Sequence, residues 1–259
     1  MNLELANKVV LVTGGSDGLG AAACVRLAEE GARVAFCGRD AERLERTRAA
    51  VKAAGGEGLA VRADITRAED CERFLAESVR AFGRVDALVN NAGTAAARPF
   101  ESVDDAAWAA DLDLKLMAAV RLIRGALPHL RAAGGGSILN VLAMAAKAPG
   151  ARSAPSSVSR AAGMALTKAL SKELGPEGIR VNAVLIGLVE SGQWERKAKA
   201  AGQSVEALYG QLARDSGIPL GRVGRTAEFA DLVAFLLSPR AAYLSGTAIN
   251  LDGGLSSAV

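Results

Sequence analysis

Thr13-Gly14-Gly15-Ser16-Asp17-Gly18-Leu19-Gly20 stands directly behind the apolar run 9–12 and opens a segment of helical period that reaches residue 30. A strand that turns into a helix through glycines at these spacings reads as the start of a βαβ unit. The glycines permit a tight turn and a close approach of backbone to a pyrophosphate, whose charge the helix N-terminus meets. Outward from this stretch the same alternation continues. Apolar runs of strand length at 9–12, 34–37, 59–61, 87–89, 138–141, 181–185 and 248–251 are separated by helical segments at 18–30, 41–54, 67–82, within 104–133, and at 157–174. Gly31, Gly55-Gly56 and Gly134-Gly135-Gly136 punctuate them, as expected beyond helix C-termini. Strictly alternating β and α units predict a seven-stranded parallel sheet with helices on both faces, a single doubly wound Rossmann domain over residues 1–259.

Bulk composition narrows the function. The 259 residues carry 31 basic and 28 acidic side chains, a net charge of +3 without any basic block, which argues against a nucleic-acid partner. The cysteines Cys24, Cys37 and Cys71 have neither disulfide nor metal-ligand spacing, so no metal is expected. The N-terminus has an early acid and no apolar signal core, and no apolar run is long enough to span a bilayer, so a cytoplasmic protein with no membrane partner is expected. The one long irregular segment, about 187–223, follows the sixth strand and carries Trp194, the charged cluster from Glu195 to Lys199 and a helical-looking stretch at 205–213. It reads as a lid over the crevice at the strand C-termini, or as a helical insertion that packs on a neighbouring subunit. Gln193, Trp194, Arg196 and Tyr209 are its candidates for lining a pocket, with packing or an intersubunit contact as the other reading.

The spacing Gly14-x-x-x-Gly18-x-Gly20 and several later motifs resemble the short-chain dehydrogenase/reductase family, from end to end of the chain. Asp64 in Ala63-Asp64-Ile65-Thr66 matches the acid that meets the adenine ring. Asn90-Asn91-Ala92-Gly93 matches the motif after the fourth strand. Gly187-Leu188-Val189-Glu190-Ser191 matches the loop that receives the nicotinamide, with Ile186 in place of the usual proline. Asp252-Gly253-Gly254 matches the C-terminal signature. The resemblance implies a nicotinamide cofactor held by Gly14, Ser16, Asp17, Gly18, Leu19, Gly20, Arg39, Asp64, Ile65, Asn91, Ala92, Gly93, Arg160, Gly187, Val189 and Ser191. Where NAD-preferring members place an acid this chain has Gly38, followed by Arg39, which suits a 2′-phosphate. Asp17 argues the other way, because NADP-preferring relatives often carry a basic residue there. Arg39 also reads as a solvated charge paired with Asp40 or Glu42. NADP(H) is favoured over NAD(H).

The family's catalytic tetrad of asparagine, serine, tyrosine and lysine is replaced at every position. By resemblance Lys115 stands for the asparagine, Ala143 for the serine, Ser156 for the tyrosine and Arg160 for the lysine. The only tyrosines are Tyr209 and Tyr243, and the only histidine, His129, is placed away from the strand C-termini. A serine hydroxyl is far less acidic than a phenol, and an arginine stays protonated and cannot relay a proton. Lys115 reads either as a pocket lysine with a depressed pKa or as a surface lysine on its helix. Three functions are therefore expected in turn. The first is an NADP(H)-binding protein that does not perform ordinary tyrosine-dependent carbonyl reduction. The second is an atypical oxidoreductase whose proton comes from Lys115, a water held by Arg160, or Tyr209. The third is a non-redox lyase or isomerase working through Lys115. The resemblance also implies a homo-tetramer or dimer, or a hetero-oligomer with an active paralogue. The small-molecule ligand is not specified.

Overall fold

The apolar runs become strands because they are buried on both faces, where a continuous run is stable only within a sheet covered by helices. β1 (Val9–Thr13), β2 (Arg33–Gly38), β3 (Glu57–Arg62), β4 (Ala87–Asn90), β5 (Gly136–Ala143), β6 (Ile179–Ile186) and β7 (Ala248–Leu251) form one sheet in the order β3-β2-β1-β4-β5-β6-β7. Every pairing is parallel, with Val10 opposite Val34 on one side and Ala87 on the other. The computed structural model describes residues 1–259, the side chain of Gln193 excepted.

Two cores sandwich the sheet. Val10 and Val12 of β1 point into one of them, with Leu27 of α1 (Gly18–Glu29), Leu44 and Val51 of α2 (Ala41–Ala53), and Phe229 and Val233 of a helix at Thr226–Leu237. Val9 and Leu11 point the other way, onto Phe74 of α3 (Ala68–Phe82) and onto Leu122 and Ile123 of a helix at Ala118–Ala132. This alternation along one fully buried strand makes the sheet two-faced. The chain leaves β1 for β2 in one direction and reaches β4 in the other, so the sheet reverses between β1 and β4. A crevice opens at the C-terminal ends of strands at such a reversal.

The long helix expected within 104–133 is three pieces on one axis. α4 (Asp105–Leu112) runs into a π-helical turn at Asp113–Met117 and then into α5 (Ala118–Ala132). α6 (Ser156–Glu173) packs beside it. The segment 187–223 was expected to be largely irregular, and here the structure corrects the reading. It contains two helices, α7 (Gly192–Ala200) and α8 (Val205–Ser216), the second capped by Ser204 and closed by the left-handed Gly217. The charged cluster Glu195 to Lys199 is helical because Ala198 is its fully buried anchor while the charges stay in water. α9 (Thr226–Leu237) follows. Among the described residues no helix is long and apolar enough to cross a membrane.

Candidate active site

Backbone geometry builds the upper wall of the crevice. Gly14 and Gly18 hold positive φ, at 66° and 52°. A Cβ on Gly20 would lie 2.2 Å from the Gly14 carbonyl oxygen and 2.6 Å from Asn91 Nδ2. That tight fit exists because Asn91 reaches across, its Nδ2 donating to the carbonyls of Thr13 at 2.9 Å and Gly14 at 3.3 Å. Thr13 Oγ1 accepts in return from the backbone N–H groups of Asn91 and Ala92, at 2.9 and 3.0 Å. Packing on the Asn91 loop therefore accounts for Gly20, whereas a Cβ on Gly18 would meet nothing within 4 Å. Asp17 caps α1 by accepting from Gly18 N at 2.8 Å.

Around this loop lies a cleft of about 400 Å³. Gly14, Ser16, Asp17, Gly18, Leu19, Gly20, Arg39, Asp64, Ile65, Asn91, Ala92, Gly93, Arg160 and Ser191 all line it, as do Arg43, Thr94, Gly192 and Arg196, of which only Arg196 was marked beforehand, for the lid. Gly187 and Val189 do not line it. Gly187 packs so closely on Asp252 that a Cβ would come within 2.7 Å of that side chain, and Val189 is buried and bridged to Gly224. Gly38 ends β2 against Ser16, whose Oγ would be 2.7 Å from a Cβ there. Arg39 is exposed, and among the described residues no carboxylate pairs with it; Asp40 pairs with Arg43 instead. Asp64 keeps one oxygen engaged by Thr66, from its N–H at 3.1 Å and its hydroxyl at 2.8 Å.

Deeper in, Lys115 settles the choice left open by its sequence: its side chain is 0% exposed, not at the surface. The π-helical turn carries it inward, between Asp111 of α4 and the first turn of α6. Lys115 Nζ donates to Asp111 Oδ1 and, at 2.8 Å, to Ser156 Oγ. The second oxygen of Asp111 accepts from Ser159 Oγ at 2.6 Å. Burial pulls the Lys115 amine below the usual lysine range; Asp111 opposes that pull and Arg160 adds to it only last. The depression comes mainly from burial rather than from Arg160, the neighbour expected to cause it.

Arg160 donates to the Val141 carbonyl at 2.6 Å and lies against Gly93, where a Cβ would be 2.5 Å from Nη2. Burial lowers its guanidinium to about 10. Ala143 ends β5 and offers only a methyl group. Tyr209 accepts from Ser191 N at 3.2 Å through its hydroxyl while its ring packs in the small apolar core of the lid segment. Trp194 carries Lys197 over its ring at 5.1 Å, and the side chain of Gln193 lies outside the described residues. The three cysteines are buried and unpaired, and among the described residues no cluster of His, Cys, Asp and Glu could hold a metal ion.

A family model for short chain dehydrogenases matches residues 8–202. The chain belongs to the short chain dehydrogenase family. It is similar to an NADPH-bound short chain oxidoreductase from Pseudomonas aeruginosa PAO1 containing an atypical catalytic center, at 38% identity over 98% of this chain and 99% of that one, with a TM-score of 0.93. It is also similar to L-sorbose reductase from Gluconobacter frateurii complexed with NADPH and L-sorbose, at 32% identity over 100% of both chains and a TM-score of 0.94. Among curated relatives it is similar to the short-chain reductase protein NovJ of Streptomyces niveus, 33% identical over 95% of this chain and 93% of that protein. For a short chain dehydrogenase, the residues that sequence reasoning missed are Asp111 and Ser159. The i,i+4 spacing of Asp111 and Lys115 was the available signal, though such pairs normally lie on solvent-facing helix surfaces.

Proposed function

We propose that this short chain dehydrogenase binds NADP(H) in the cleft beside the glycine loop and does not perform tyrosine-dependent carbonyl reduction. What carries this reading is a contrast between the two halves of the crevice. The cofactor half is shaped in full: Gly18 opens on free space, Asn91 locks the loop, and Arg39 is unpaired at the end of β2. Position 38 has no room for the acid that would bond a ribose 2′-OH, because Ser16 presses on it. An unpaired guanidinium suits a 2′-phosphate through charge-assisted bonds. The NADPH held by the Pseudomonas aeruginosa and Gluconobacter frateurii proteins supports the same choice.

At the reacting half, the residues that the resemblance puts in the tetrad positions present no phenol. Ala143 has no polar side-chain atom, Arg160 is tied to Val141, and the Lys115 amine is wholly covered. Bound NADP(H) supplies or accepts a hydride. The chain's own residues hold the dinucleotide, with Arg160 and Gly93 closing the wall nearest Ser156. One observation favours a second reading, an atypical oxidoreductase: the Lys115 amine stands behind Ser156 at 2.8 Å, so a proton has a route outward through that hydroxyl. The lyase or isomerase reading through a Schiff base has less support, since a substrate carbonyl has no path to a side chain with 0% exposure.

Calorimetric titration with NADPH and then NADH tests the proposal. The expected result is micromolar binding, about tenfold or more tighter for NADPH, with the preference abolished by Arg39→Ser. Equal affinity for both dinucleotides would remove Arg39 from its role, and no binding of either would overturn the reading.

A further inference from the structure

We infer that Ser156 is a fixed hydrogen-bond donor to a carbonyl or alkoxide oxygen of the ligand, and that Asp111 and Lys115 are the positioning residues that make it so. A serine oxygen has two lone pairs and one proton. Both lone pairs of Ser156 are taken. Lys115 Nζ donates to Oγ at 2.8 Å, and the backbone N–H of Ala96 donates to it at 3.0 Å. The hydroxyl is therefore left with donation alone, and among the described residues no acceptor takes its proton.

The arrangement behind it is unusually expensive to build. Asp111 and Lys115 have side-chain exposures of 4% and 0%, and burying such a pair is stabilising only when every remaining polar atom is satisfied. Here it is satisfied on the Asp111 side by Ser159, itself fully buried. A cationic donor strengthens the hydrogen bond that its acceptor in turn gives, because successive bonds polarise one another. The loop after β4 supplies the other constraint: Ala96 N holds Ser156, and Arg98 N donates to the Ala154 carbonyl at 3.1 Å. Ser156 lies one helical turn from Arg160 on the same face of α6, and Arg160 lines the dinucleotide cleft. The free donor thus sits beside the position of the reacting end of a bound dinucleotide. A water-facing serine would need none of this apparatus.

The inference rests on the proposed dinucleotide site, and the test separates the two. Protein saturated with NADPH is titrated with 9,10-phenanthrenequinone, a rigid neutral dicarbonyl, and its binding is read from quenching of the bound NADPH fluorescence. Ser156→Ala is expected to weaken the quinone by about tenfold, with NADPH affinity held within about twofold. Ser156→Thr keeps the hydroxyl and is expected to restore most of the affinity. Asp111→Asn is expected to weaken the quinone in the same direction while NADPH binding is kept. Equal quinone affinity in wild type and Ser156→Ala, or no quinone binding to the wild-type complex, would overturn the inference. If NADPH itself fails to bind, the dinucleotide reading falls, and calorimetry of the quinone on the free protein decides Ser156 separately by the same pair of variants.

Discussion

Asp17 Oδ2 accepts from Arg43 Nη1 at 2.9 Å and faces Arg196 Nη1 at 3.6 Å, so the acid of the glycine loop is enclosed by two guanidinium groups, one from α2 and one from the lid helix α7. This resolves the conflict between Asp17 and Arg39 that the sequence presents. The carboxylate does not face the cleft as a bare negative charge, because Arg43 sets its sign locally. Arg43 has a second carboxylate, Asp40 at 3.3 Å, and would remain in place without Asp17.

Asp17→Asn is therefore expected to tighten NADPH, by about three- to tenfold at low salt, and NADH by less. Asparagine keeps the N-cap of α1, so thermal stability should change by less than about 1 kcal/mol. Calorimetry of both dinucleotides on the variant checks this. Weaker NADPH binding would mean that Asp17 holds the loop in shape rather than offsetting the arginines.

The buried pair gives a prediction about stability. Lys115→Met removes one partner and leaves Asp111 buried and charged, which should cost about 3–5 kcal/mol. Pairing it with Asp111→Leu removes both charges, and the double variant is expected to recover most of that loss. Urea denaturation of the two single variants and the double variant measures the coupling. Additive losses would show that Asp111 and Lys115 do not depend on each other in the fold.

How much of this could be read beforehand depended on whether the determinant was local. The seven strands were legible because each is a buried apolar run, and Gly31, Gly55 and Gly134 marked helix ends because all three take positive φ there. The cofactor wall was legible for the same reason, since its glycines act through backbone shape. α7 was not: with Glu195, Arg196, Lys197 and Lys199 in one stretch it shows no apolar stripe, and the single buried Ala198 carries little signal. The setting of Lys115 was hidden in another way. Its partner Ser156 lies 41 residues on, in another helix, and the π-helical turn that swings the lysine inward has no sequence signature that a helical period reveals.

Gly20 tests whether the loop and the fold can be separated. Its Cβ would collide with the backbone carbonyl of Gly14 at 2.2 Å, and backbone cannot yield as a side chain tip does. Gly20→Ala is expected to destabilise by about 1–3 kcal/mol and to abolish dinucleotide binding. Gly18→Ala meets no atom but forces a left-handed φ of 52° on a side chain, at about 1 kcal/mol, and should weaken binding less. Thermal melts with and without NADPH read both quantities. The opposite ranking would mean that Gly18, not Gly20, fixes the loop.

Glu228 carries the clearest pH dependence in the chain. Its carboxylate accepts from both Arg222 Nη atoms, at 2.9 Å and 2.5 Å, and from Arg225 N at 2.8 Å, which caps α9. Arg222 is the larger cause, the Arg225 N–H the second, and together they lower its pKa from 4.5 to about 2. An acid whose folded pKa lies below its unfolded value stabilises fully above the unfolded pKa, and that stability is lost as pH falls through the folded one. Glu228→Gln should therefore lower the urea midpoint at pH 7, and the gap to wild type should close between pH 4.5 and about 2. The group is too exposed for the gap to be large, and salt should narrow it. A gap that persists unchanged at the lowest pH would assign the effect to the lost cap geometry instead of the charge.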